Sequence, residues 1–205
     1  MRLVILPLIS MCSILPAACD LGSVPAVQTA GFEEAVQSIA SNRSYLERSF
    51  IRINRDPYPT KLSATDLIDV YISQDSAAGY WQIEPDSKDA AAPLPESTVI
   101  VRVVMDPDWT PKKLTFMIKE APGSFPASGD YYYAVTALDG SIAFDDAGQP
   151  QAGALPECAS CHIERASSDF LFGVPAEQRG KTPSGATMPV RVTTVHDDIH
   201  THTGM

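Results

Sequence analysis

Six residues late in the chain, Glu157-Cys158-Ala159-Ser160-Cys161-His162, constrain it more than any other stretch. Two thiols spaced Cys-x-x-Cys, with a histidine directly after the second, form the attachment signature of a c-type haem. Each thiol adds across one vinyl group of the porphyrin, and two intervening residues set the sulfurs the right distance apart. The neighbouring His162 is then carried under the iron as its axial ligand. Cysteine and histidine number only four each among 205 residues. A chance match has odds on the order of one in several hundred. One haem c, bonded to Cys158 and Cys161, is therefore expected.

Three other chemistries share parts of this signature. A thioredoxin-like redox pair uses Cys-x-x-Cys, but it follows a strand in a βαβ unit, usually near the start of a chain. Tetrahedral zinc is satisfied by Cys158 and Cys161 with two of His196, His200 and His202. A disulfide between Cys158 and Cys161 closes a very small, strained ring. None of the three needs His162 directly after the second cysteine.

The start of the chain reads as an export signal. Met1-Arg2 is followed by an apolar run, Leu3 to Pro16, that is short and interrupted by proline. Leu15-Pro16-Ala17-Ala18-Cys19 resembles the lipobox of bacterial lipoproteins, with proline where leucine is usual. This gives a signal peptide at 1–18 and a lipid-bearing Cys19 that holds the mature chain at a membrane surface. The destination is the periplasm or elsewhere outside the cytoplasm. Cysteine use agrees, because Cys12 is discarded, Cys19 takes lipid, and Cys158 and Cys161 take haem. A net charge of −10 argues against a nucleic-acid partner and suits a basic redox protein or simple solubility.

After a tether at 19–30, helical spacing links Phe32, Val36, Ile39, Leu46 and Phe50, with Glu33, Glu34, Arg43 and Glu47 on the other side. Pro57 and Pro59 end that helix. Arg52 and Arg55, just before them, are candidates for holding haem propionates. Strands are expected at 66–74, 97–106, 113–120 and 130–140, with 141–144 pairing back. Alternation puts Val99, Val101, Val103 and Met105 on one face and Ile100, Arg102 and Val104 on the other. The fold class is α+β: a mainly antiparallel β-sheet, an N-terminal packing helix and a C-terminal haem-attachment helix. The haem domain spans 31–175, and 176–205 is an extension, polar at its end and partly disordered.

Three runs in this order carry a family likeness: STVIVRVVMD (97–106), LTFMIKEAPGSFPASGDYYYAV (114–135) and ECASCHIERASSDFLFG (157–173). Together with RINRDPYPTKLSATDLIDVYIS (52–73), the chain resembles the cytochrome P-460 family, which includes the cytochromes c′-beta. The resemblance implies a β-rich homodimer with a five-coordinate haem c, His162 as proximal ligand and an open distal face for small nitrogenous ligands. One branch of that family oxidises hydroxylamine, with nitric oxide chemistry, and carries a lysine–porphyrin bond. The other lacks the bond and binds nitric oxide in an apolar pocket. Arg102 and Lys119 are the distal candidates, and Lys119 is the lysine best placed for such a bond. Phe116, Met117, Phe125 and Tyr131 to Tyr133 are candidates for the pocket wall. The competing reading is a six-coordinate electron-transfer cytochrome, with Met188 or a tail histidine (His196, His200 or His202) as second axial ligand.

Overall fold

A computed structural model describes residues 26–61, 63, 65–85 and 90–180. Its centre is the sheet that the alternating runs demand. Seven strands, β1 (Phe50–Arg52), β2 (Tyr58–Pro59), β3 (Leu67–Ser73), β4 (Val99–Met105), β5 (Pro111–Lys119), β6 (Tyr131–Thr136) and β7 (Ala152–Gly153), pair antiparallel throughout. The order is β1-β3-β4-β5-β6-β7, with β2 beside β3. The α+β class is as expected.

Each long strand sends alternate residues to opposite faces, and both faces are covered. Val101, Val103, Met105, Leu114, Phe116, Ile118, Tyr132 and Ala134 form a first core with Val36, Ile39, Leu46 and Phe50. Helices α1 (Ala26–Ala40) and α2 (Arg43–Ser49) close that face. Ile68, Val70, Ile72, Ile100, Val104, Met117, Tyr131 and Tyr133 form a second core. It is covered by the chain around α3 (Ala77–Tyr80) and by Leu155, Leu171 and Val174, which flank the helix α4 (Pro156–His162).

Several boundaries differ from those expected: Phe50, expected in the helix, opens β1, and the strand expected at 130–140 ends at Thr136. The single N-terminal helix is two, because Asn42 accepts a hydrogen bond from the amide of Tyr45 (2.9 Å) and so starts a new helix. Helix α1 also begins at Ala26, inside the stretch read as a tether. Residues 141–144 pair back only through an isolated bridge of Thr136 to Ile142, and β7 takes the edge of the sheet instead. The start of the C-terminal extension is docked: Arg179 donates to Ile83 O (2.9 Å) and pairs with Glu84 (3.0 Å). Among the described residues, no helix is long and apolar enough to cross a membrane.

Candidate haem-attachment site

Pro156, at the first turn of α4, starts the helix where its missing amide costs nothing. The amides of Cys158 and Ala159 then bond to Leu155 O at 3.1 and 2.9 Å. Positions i, i+3 and i+4 share one side of a helix, which aligns Cys158, Cys161 and His162. No residue of α4 is fully buried. Cys158 and Ala159 are partly buried against the second core, so the motif lies on the second face of the sheet.

Both cysteines are free thiols. Burial pushes the Cys158 thiol up to about 11, helped by Glu157 and opposed by Arg102. Redox-active cysteines of the thioredoxin kind have the reverse shift, towards thiolate. Among the described residues, no three His, Cys, Asp or Glu side chains converge on a point where a metal ion fits. The tail histidines of the zinc alternative, like Met188 and Cys19, lie outside the described residues.

His162 has a defined tautomer. Its Nδ1 lies 2.6 Å from Phe170 O, and a carbonyl only accepts, so Nδ1 carries the proton. Burial holds the imidazole below its ordinary value of 6.5, an effect opposed by that hydrogen bond and assisted by Arg102. The ring is therefore neutral at pH 7, and Nε2 presents a lone pair. Such a bond at the other nitrogen is the usual way a metal-binding histidine is oriented. Tyr133 lies against the ring (centroids 5.6 Å apart, 52° between planes), and Phe172 meets it edge-on (5.2 Å, 77°).

The turn that supplies Phe170 O is backbone-strained. Asp169 and Phe170 have φ of 52° and 60°, in the left-handed region, and neither is glycine. Asp169 is 7% exposed and fully occupied. It accepts from Lys119 Nζ (2.5 Å), Tyr131 Oη (2.8 Å) and the amide of Leu94 (2.8 Å). Lys119 Nζ also donates to Gly129 O (2.8 Å) and lies 4.5 Å from the Tyr131 ring centroid. Lys119 is thus held in a buried ion pair beside the segment that follows the motif. Tyr80, a residue with no signal in the sequence, donates from its hydroxyl to Phe172 O (2.8 Å).

Arg102 has different company. It opposes Val70 on β3 and Thr115 on β5, which places it on the motif's face. Its Nη2 donates to Thr60 Oγ1 (3.3 Å), and among the described residues its buried Nε has no hydrogen-bond partner. Among the described residues, no carboxylate pairs with it. The buried hydroxyl of Tyr133 is likewise without a partner. Lys61 and Arg165 stand over the ring of Phe172, at 5.4 and 5.0 Å from its centroid.

The other candidates are sorted by the two faces of the sheet. Met117, Tyr131 and Tyr133 are on the motif's side, whereas Phe116, Phe125 and Tyr132 lie in the first core, on the opposite side. Arg52 opposes Tyr71, a first-core residue, so it too is on the opposite face, and it pairs with Asp69. Arg55 pairs with Asp56 (3.0 Å). The alternation that separates these residues was in the sequence, but the face to which α4 would dock was not. No family model matches the chain, and no curated protein matches it.

Proposed function

We propose that this chain is an exported mono-haem c-type cytochrome of the P-460 kind. Cys158 and Cys161 would hold the porphyrin, His162 would be its axial ligand, and the opposite side of the iron would be open to small nitrogen species such as nitric oxide or hydroxylamine. The observation that carries this reading is the His162 tautomer: Nδ1–H is tied to Phe170 O, and Nε2 is left as a lone-pair donor beside two free thiols. The surrounding residues suit a porphyrin. Arg102 and Tyr133 have buried polar atoms without partners on that face, and a porphyrin brings carboxylates that accept hydrogen bonds. Haem, once bound, supplies an iron site for diatomic ligands or for electron transfer.

The chain's own residues contribute orientation. Phe170 O fixes the imidazole ring, while Tyr133 and Phe172 pack on it. Arg102 is the residue placed to meet an anion or a polar ligand. The iron would be five-coordinate in this proposal unless Met188 or one of the other histidines, at 196, 200 and 202, supplied a sixth ligand. Turnover of hydroxylamine is the enzymatic form of the proposal, and ligand binding is its simpler form. A homodimer, an electron-transfer partner, periplasmic residence and a lipid anchor at Cys19 are proposed with it.

The optical spectrum and intact mass of protein matured in an exporting host test this reading. One covalent haem is expected, high-spin when reduced and able to take up nitric oxide or carbon monoxide. Colourless protein with the mass of bare or lipidated polypeptide overturns it. A low-spin spectrum with a methionine–iron band, lost in Met188→Leu, moves the assignment to the electron carrier. Hydroxylamine oxidation with an added electron acceptor separates enzyme from binder.

A further inference from the structure

Lys119 sits on β5 and His162 on α4, and one short path of hydrogen bonds joins them. The Lys119 ammonium and the Tyr131 hydroxyl bind the two oxygens of Asp169, at 2.5 and 2.8 Å. Asp169 and the next residue, Phe170, hold left-handed backbone that a non-glycine residue adopts only when its surroundings impose it. The Phe170 carbonyl then accepts the hydrogen bond of His162 Nδ1–H (Nδ1 to O, 2.6 Å). Gly129 completes the device: its carbonyl accepts from Lys119, and a Cβ there would come within 2.1 Å of the Phe170 ring.

We infer that Lys119, Tyr131 and Asp169 are positioning residues for the axial histidine, clamping the 169–170 turn so that Phe170 O stays on the His162 Nδ1 proton. This inference rests on the proposed role of His162. It assigns Lys119 to the histidine's side of the site, through Asp169, and leaves its ammonium engaged. The carbonyl pulls on the Nδ1 proton and makes Nε2 a stronger donor, as partners behind metal-bound imidazoles do.

The test uses holoprotein carrying Lys119→Met, Asp169→Asn or Tyr131→Phe. The iron–histidine stretching band of the reduced haem is expected to move to lower frequency and the midpoint potential to rise. Tyr131→Phe, which removes one hydrogen bond and little else, should show the smallest change and guards against loss of folding in the other two. Arg52→Gln, which breaks the Arg52–Asp69 pair on the opposite face, is the control for general destabilisation and should move neither quantity. Unchanged band and potential in all three variants, or equal shifts in Arg52→Gln, overturn the inference. If the wild-type chain proves to carry no haem, the functional proposal fails but the clamp is still measurable. The nitrogen chemical shifts of His162 should report the Nδ1–H tautomer in the wild type and a mixture in Asp169→Asn. A pure Nδ1–H tautomer in both sinks the clamp.

Discussion

Arg102 and Arg52 are half-buried arginines on β4 and β1, two strands of one sheet that flank β3, and they do different things. Arg52 meets Asp69 on the helix-covered face, so its charge is answered within the protein. Arg102 faces the cysteine–histidine motif, and no described carboxylate answers it. An unanswered guanidinium in a partly buried place is costly unless something accepts its hydrogen bonds. In the holoprotein, Arg102→Gln should leave haem attachment intact and lower the midpoint potential, because a positive charge near the iron favours the reduced state. Arg102→Lys should restore the charge but not the fork, and so recover only part of the shift. Redox titration checks both. That Arg102 shares a face with Val104 and Ile100 was legible in the period of two. That Arg52 would be paired was not, since Asp69 reaches it across a strand pairing that no local pattern specifies.

At the scale of elements, the four long strands were the readable part, and the short strands β1, β2 and β7 and the turns were not. The runs 97–106 and 113–120 are rich in β-branched and apolar residues, and β4 and β5 lie within two residues of those bounds. The 169–170 turn gave no such signal, because Asp and Phe occupy a conformation that normally announces itself with Gly or Asn. Local backbone hydrogen bonds (Phe170 N–H to Arg165 O, 2.8 Å; Leu171 N–H to Ser168 O, 3.0 Å) are joined there by the tertiary contacts of Asp169, and breaking those contacts should be expensive. Lys119 and Asp169 have side chains 10% and 5% exposed. Removing one partner of a buried pair typically costs about 3–5 kcal/mol. Lys119→Met should therefore unfold at clearly lower urea than the wild type. Lys112→Met, which breaks the exposed pair with Asp66, should shift the urea midpoint far less, because solvent screens that pair. Urea titration of both variants decides the comparison. The break at Asn42 belongs here too. Asn42→Ala should cost about 1 kcal/mol by removing the cap of α2.

For the whole molecule, two groups set opposing slopes in the dependence of stability on pH. Glu120 is pushed up from 4.5 to about 7 by burial and by Glu96. Between those values the folded chain holds more protons than the unfolded one, so its stability falls as pH rises. His162 is held below 6.5, so in haem-free protein its contribution is present above that pH and is lost on acidification. Glu120→Gln should therefore raise the thermal midpoint at pH 8 relative to the wild type and leave it nearly unchanged at pH 4. A gain of the same size at both pH values would show that Glu120 titrates normally in the fold.

Helix α4 is seven residues long and has no fully buried side chain. An isolated helix that short does not persist in water, and packing must supply what length cannot. The sheet and its first covering layer already have their own interior, which would let them assemble while this segment is still accessible for the proposed attachment of a pigment. Amide exchange at 156–162 should then be fast in uncoloured chains and slow in coloured ones, with β4 and β5 protected in both.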